Sequence, residues 1–541
     1  MKPITISGFN GSIQAIEPVQ LPESVGQFME NAYPGLGDLR ALSVHLQVAT
    51  VPTSPQRNTI RRMGRDVPSD ALYWLGWSAV VSSTLGFGSD TTERTFYSGD
   101  GTPKWTNNNI GLTGGPPYPQ ASRELAVPAP TTAPTIALTT DGTGTDATRF
   151  YVETFVNDLG WESAPSPVSA GLVCKPGAIV AISGLASPPS GNYGFNLRRI
   201  YRTQPGTGTD ADFYFLREIA IGTTSTTDDA RTLGDLLATE GWLPPPSAGF
   251  GLIALWNSMM GILSGDGKVL HLSEPGYPYA YPIRNTKKLK DKGVALLKWA
   301  QNLLVLTTGV PVVFTGQDPI GMQDSPPRLS QACLSARGAV SFAHGGCWPS
   351  NEGLAYYGDA GQRLVTAGLL TPEQWRALNP SSMVAGRWGK FYVCSYDSGS
   401  GLKGFMIDPL NPAGGIVYLT DGFNACDYDE VADQLYVLQG GNVMKFAGGA
   451  TRMTAAFTSK KYLQPFPVCF GAAKVVASSY PVVLKVYADG ALKLNRSVPN
   501  RNGFTLPDGF TAEEWHVRIE SSARSVPVVR LAQRIQDLKG I

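Results

Sequence analysis

Along much of the chain, apolar and polar positions alternate with a period of two. Phe150, Val152, Thr154 and Val156 interleave with Tyr151, Glu153 and Phe155. Trp515, Val517 and Ile519 interleave with His516, Arg518 and Glu520, which predicts a strand with one buried and one wet face. Short apolar runs at 252–256, 302–306, 353–357, 390–394 and 433–437 each follow a Gly, Asn or Asp turn. Most lead through a second turn to a second strand, as at 310–314, 405–407 and 443–446. Leu304, Leu354, Tyr392 and Leu435 mark four of these runs at intervals of 50, 38 and 43 residues. Several strands per repeat at such a period predict propeller blades.

Four segments follow from this pattern. Residues 1–127 form an N-terminal segment with the first blade or blades. In it, Trp74 and Trp77 mark one strand-like run, and Thr95-Phe96-Tyr97 and Lys104-Trp105-Thr106 flank a Ser98–Gly101 turn. The run Gly114-Gly115-Pro116-Pro117-Tyr118-Pro119 is a loop, because neither helix nor inner strand tolerates it. Residues 128–242 read as an inserted immunoglobulin- or fibronectin-like β-sandwich. It has strands at 197–203 and 213–221, hairpin tips in the Gly/Thr/Asp stretches 141–146 and 206–210, and proline-rich edges. Residues 243–456 hold the remaining blades and one short helix, which Thr371-Pro372-Glu373-Gln374 opens with an N-cap, a first-turn proline and a capping-box glutamine. Residues 457–541 form a C-terminal β segment that closes the body. Its Asp489-Gly490 turn joins strands at 482–488 and 491–495, and 529–538 reads as a short strand or helix. The expected fold class is therefore mainly β: a β-propeller-like body with an inserted sandwich and a C-terminal β segment.

Composition narrows the function. Of 541 residues only 16% are charged, against about 25% in ordinary soluble domains, and the formal net charge is +1. That balance excludes a nucleic-acid reader held by bulk positive charge. The 61 glycines and 41 prolines exclude a coiled coil, and 42% apolar residues exclude a disordered chain. A surface this poor in charge suits one hidden against neighbouring copies, or equally a large β protein with many turns. The most apolar stretch, 294–314, is broken by Lys298, Gln301, Asn302 and Pro311, so no membrane-spanning helix is expected. The opening residues lack a secretory leader pattern, which places synthesis in a cytoplasm. The six cysteines are scattered without a CxxC pair and read as buried, reduced thiols.

Motifs for chemistry are sparse. GxSxG, HExxH and GxxxxGK[ST] do not occur. The four histidines lie far apart, and His344-Gly345-Gly346-Cys347 reads as a turn rather than a metal or thiolate pair. No catalytic residue, cofactor or metal ligand is assigned. Ser98-Gly99-Asp100-Gly101-Thr102-Pro103-Lys104-Trp105 partly matches the Asp box of sialidase propellers, a structural turn even there, with Lys104 where threonine belongs. One charge cluster stands out: Arg284, Lys287, Lys288, Lys290 and Lys292, opposed only by Asp291. It is a contact for a partner's acidic rim or a DNA backbone, or a solvated loop between blades. The preceding 275–282 run, rich in tyrosine and proline, is an exposed contact loop or a packed crossing.

The order of these segments resembles the nozzle (tail tubular, or tail stabilisation) proteins of short-tailed bacteriophages. The similarity lies in Leu21-Pro22-Glu23-Ser24-Val25-Gly26 with Asn31-Ala32-Tyr33-Pro34-Gly35-Leu36-Gly37-Asp38-Leu39-Arg40, and in the 95–104 hairpin. It continues in Glu162-Ser163-Ala164-Pro165-Ser166, Arg199-Ile200-Tyr201-Arg202-Thr203 and Leu272-Ser273-Glu274-Pro275-Gly276-Tyr277-Pro278. It ends with Val486-Tyr487-Ala488-Asp489-Gly490, Leu506-Pro507 and Trp515. The resemblance implies a non-enzymatic virion component: a homo-oligomeric ring, expected to be a hexamer, below the portal and adaptor proteins. Tail fibres or spikes would dock outside, and double-stranded DNA would pass through its channel. The competing expectation is a propeller that binds or cleaves host surface glycans, which calls for paired carboxylates and arginines at the propeller axis.

Overall fold

A computed structural model describes residues 3–63, 73–86, 90–204, 212–325 and 330–538. The predicted hairpin tip at 206–210 lies outside the described residues. Strands dominate, and the α-helices among the described residues are two short ones, Asn108–Gly111 and Pro372–Ala377. The chain divides into two compact units. Unit one comprises Met1–Ala79, Val294–Phe314 and Asp324–Ile541, and unit two comprises Val80–Gly293 and Thr315–Gln323.

Unit one is built on four-stranded antiparallel meanders. The first contains Gly293–Trp299, Asn302–Thr307, Val312–Thr315 and Gln323–Ser325. The second contains Val340–Phe342, Gly345–Pro349, Leu354–Gly358 and Gly361–Leu364. The third contains Val384–Trp388, Phe391–Asp397, Leu402–Ile407 and Val417–Leu419, and the fourth starts with Ala425–Asp429, Gln434–Gln439 and Asn442–Lys445. The fourth strand of that last meander is Leu46–Thr50, from the other end of the chain, paired antiparallel with Asn442–Lys445. The first strands of the second, third and fourth meanders adjoin in turn, and the ribbon Thr59–Arg62 and Trp74–Trp77 follows against the fourth. A shared apolar core fills each gap. Leu297, Leu304 and Trp348 pack between the first two meanders, Leu354, Tyr392 and Phe405 between the next two, and Val393, Leu435 and Phe446 between the last two. Short meanders packed face to face around their first strands are β-propeller-like. The helix Pro372–Ala377 carries the predicted capping box: Thr371 Oγ1 accepts the Gln374 N–H, and Gln374 Oε1 accepts the Thr371 N–H.

The rest of unit one has its own two-sheet core. The third meander continues through Phe28–Glu30, parallel to Val417–Leu419 and antiparallel to Ala455–Thr458. The sheet then runs on through Ala512–Ser521, Val482–Ala488 and Ala491–Val498, ten strands in all with Tyr462–Val468. A second sheet orders Ile4–Ile6, Val528–Ala532, Ala472–Val476 and Phe504–Thr505. Ile4, Ile6, Val475 and Leu531 from one sheet meet Leu484, Val486, Trp515, Val517 and Ile519 from the other. The predicted alternation at 515–519 thus buries its apolar half. Asp489 and Gly490 both take positive φ (47° and 74°), as a type I′ turn requires.

Unit two holds two further meanders. One is Ser82–Leu85, Thr95–Ser98, Lys104–Thr106 and Arg123–Glu124, and the other is Phe250–Ala254, Met260–Leu263, Val269–Leu272 and Thr286–Lys288. Phe96, Trp105, Leu252, Ile262 and Tyr281 form their common core. Between them in sequence lie three small sheets. Thr135–Thr140, Ile179–Ser183 and Thr226–Asp228 make one, Tyr151–Asn157, Phe195–Thr203 and Phe213–Ala220 another, and Ala147–Arg149 with Leu172–Cys174 a ribbon. Val180, Ile182, Tyr151, Ile200 and Leu216 share one core. The strand Tyr151–Asn157 is buried on both faces. Its Glu153 is therefore inside, with Oε2 accepting from Arg198 at 2.7 Å and Oε1 from the Ala186 N–H at 2.6 Å. A second ionic knot centres on fully buried Asp228. Its Oδ2 accepts from Tyr151 Oη at 2.7 Å, Arg202 at 2.5 Å and Arg149 at 3.5 Å, and its Oδ1 accepts the Ala230 N–H at 3.1 Å. One carboxylate thereby ties residues of all three small sheets.

Candidate functional site

The predicted basic cluster lies at the outer edge of the second meander of unit two. Thr286–Lys288 is its edge strand, with Lys288 opposite Val269 and Lys287 opposite Leu270. The cluster does not act as one group. Arg284 is held by Glu274 Oε1 at 2.5 Å, and the same oxygen accepts from Asn285 at 3.1 Å. Lys287 donates to the carbonyls of Ile320 (3.0 Å) and Met322 (3.2 Å), fastening the 315–323 segment within the unit. Lys288, Lys290 and Lys292 are exposed, while the intervening Leu289 is buried. Exposed Lys268 joins them, its Nζ donating to the Lys290 carbonyl at 3.2 Å. Lysines on an edge strand obstruct strand-to-strand addition. The tyrosine-rich run beside the cluster divides as well: Tyr279 and Tyr281 are core residues and Tyr277 is exposed.

A second polar grouping sits on the first strands of unit one. Arg62 reaches Asp429 at 2.5 Å and Arg61 reaches Asp427 at 3.6 Å. The Arg62 N–H also donates to Asp427 Oδ2 at 2.8 Å. Asp429 Oδ1 accepts the N–H groups of Val431 and Ala432, and its side chain is only 1% exposed. Arg387 lies 4.1 Å over the Tyr428 ring, whose hydroxyl donates to Asp433. Arg337 donates to the carbonyls of Asn58 and Asn424. These are the paired carboxylates and arginines that a glycan-processing propeller would need, but each carboxylate is taken up by its arginine and by backbone donors. Sequence reading missed the grouping because Arg61 and Arg62 meet partners more than 360 residues away. The remaining clue was a dipeptide of arginines facing an Asp-x-Asp pattern.

The other candidates disperse. Cys347 is fully buried and its thiol is pushed well up by burial, whereas His344 is exposed and pairs with Asp359 at 3.3 Å. Burial likewise pushes the Cys333 and Cys426 thiols up to about 12. Burial lowers His45 to about 4, despite the opposing pull of Asp421, and its Nδ1 accepts the Ala447 N–H at 3.0 Å. Among the described residues no group of three or more His, Cys, Asp or Glu comes together to hold a metal ion. No helix among them is long and apolar enough to cross a membrane.

Neither a protein-family model nor a curated relative matches the sequence. Solved structures share a low-level likeness. Virginiamycin B lyase from Staphylococcus aureus aligns over 68% of this chain and 98% of its own at 7% identity and a TM-score of 0.28. AztD from Citrobacter koseri aligns over 70% and 99% at 13% identity and 0.26. PorZ of Porphyromonas gingivalis aligns over 86% and 77% at 11% identity and 0.23. Likenesses this slight bear on neither activity nor ligand, and the propeller-like description of this mainly β chain rests on its own meanders.

Proposed function

We propose that the chain is a structural assembly protein, the nozzle subunit of a short-tailed phage tail. It would form a ring, expected to be a hexamer, below the portal and adaptor, with fibres or spikes on the outside and double-stranded DNA passing through. The observation that carries this reading is the closure of the inner-strand ion pairs. Arg61–Asp427 and Arg62–Asp429 spend their charge on each other, so these arginines offer little to grip a sliding polyanion. The order of sequence segments and the low charge content support it. The glycan reading has the same arginines and carboxylates in its favour, but a carboxylate as enclosed as Asp429 cannot reach a sugar.

Electron microscopy and sedimentation of the purified protein test the proposal. Closed rings, and co-purification with portal complexes from virions, are the expected outcome. A protein that stays monomeric and releases sugars from host envelope would overturn it.

A further inference from the structure

We propose that copies of this chain associate head to tail through two oppositely charged knobs: the Ile283/lysine edge of unit two in one copy and the Val431 hairpin tip of unit one in the next. This rests on the assembly reading above and names the surfaces that would carry it.

Among the described residues, the two most exposed large apolar side chains are Ile283 at 72% and Val431 at 71%. A lone exposed apolar residue is ordinary. Here each sits in a charged collar, and the collars have opposite sign. Ile283 opens the turn Ile283–Asn285, directly before the edge strand with exposed Lys288 and the following Lys290 and Lys292. Ile320, 57% exposed, joins the same surface, because its carbonyl accepts from Lys287. The carboxylates there are Asp266, Glu274, Asp291 and Asp318. Glu274 is held by Arg284, Asp266 accepts from Ser264 and the Lys268 N–H, and Asp318 accepts the N–H groups of Ile320 and Gly321. Counting Lys268, Arg284, Lys287, Lys288, Lys290 and Lys292 against these four, the surface is net positive.

Val431 lies at the tip between Ala425–Asp429 and Gln434–Gln439, with Glu430, Ala432 and Asp433 exposed around it. Asp429 is already matched by Arg62. Partly buried Lys298 lies within electrostatic reach of Glu430, and Arg387 rests on Tyr428. The exposed charge at the tip itself is negative.

An apolar knob with a basic collar fits one with an acidic collar. Either surface facing its own copy would set like charges together, which is costly. The contact therefore uses two different patches, and such a heterologous contact closes into a ring or runs on as a filament. The lysine edge discourages sheet continuation, so side chains rather than backbone ladders make this contact.

The test uses the full chain and two charge-reversed variants, with sedimentation over a concentration series and a circular-dichroism melt to establish folding. One is Lys288→Glu/Lys290→Glu/Lys292→Glu, and the other is Glu430→Lys/Ala432→Lys. Each alone should raise the concentration of half-assembly by about 30-fold or more. An equimolar mixture should regain wild-type mass, because acidic edges then meet basic tips in alternation. Ile283→Asp serves as the single-site check if a multiple variant melts early, with the same direction expected. Rings from either folded variant alone at wild-type concentrations, or no recovery on mixing, would overturn this contact and leave the assembly reading standing. A wild-type chain that is monomeric throughout would overturn both.

Discussion

Replacing Asp228 with alanine should loosen the small sheets of unit two severely. The carboxylate is fully buried, accepts from Arg149, Arg202 and Tyr151, and also caps the Ala230 N–H. Removing it leaves two guanidinium groups, on side chains no more than 7% exposed, without their shared counter-charge. Breaking a buried pair in this way costs about 3–5 kcal/mol. At 1.4 kcal/mol per decade, local opening becomes about 100- to 3,000-fold more frequent. Cys174 reports on it, since its strand pairs with Ala147–Arg149 and the thiol is 2% exposed. Labelling with a thiol reagent in native buffer, located by peptide mass spectrometry, should accelerate at Cys174 by that factor and leave Cys347 and Cys394 unchanged. Asp228→Asn keeps an acceptor but loses the charge, and should fall between wild type and Asp228→Ala. If the alanine variant labels within threefold of wild type, the knot contributes little and the reasoning is wrong.

Stability should fall as pH drops from 6.5 to about 4, because the unfolded His45 takes a proton at its ordinary 6.5 while the folded one resists until about 4. That interval amounts to about 3 kcal/mol, and His45→Gln should flatten the slope of urea midpoint against pH. Thr371→Ala removes the cap of Pro372–Ala377 and should cost about 1 kcal/mol, seen as faster hydrogen exchange at the Gln374 amide; unchanged exchange would contradict the cap's role. Trp515→Ala empties a site wedged against Phe470 and Phe510 and should cost about 3–5 kcal/mol in denaturant titration, a loss below 1 kcal/mol being inconsistent with the packing.

Local signals were legible in the sequence and distant pairings were not. The Asp489–Gly490 hairpin, the Thr371 cap and the alternation at Trp515–Ile519 each depend on a few adjacent residues, and the structure follows them. The 529–538 segment is both things it resembled, the strand Val528–Ala532 and then a 3-10 turn Ile535–Leu538. At Tyr151–Asn157 the alternation gave no face, because both faces are buried and Glu153 is neutralised by Arg198. Leu46–Thr50 completes a meander some 390 residues further on, and Ile4–Ile6 pairs with Val528–Ala532 in a core built largely of residues beyond 450. No local pattern encodes such partners. The basic cluster was visible as five charges, but its division depended on Glu274 and on the Ile320 and Met322 carbonyls, which periodicity does not reveal.

The pairings of Ile4–Ile6, Phe28–Glu30 and Leu46–Thr50 with strands beyond residue 415 set a schedule for biogenesis. At about 5–20 residues per second, a ribosome needs roughly 20–100 s to deliver those partners. Until then the early strands wait with unpaired edges. Translation speed and holdase supply, more than final stability, would then set the yield of native chains.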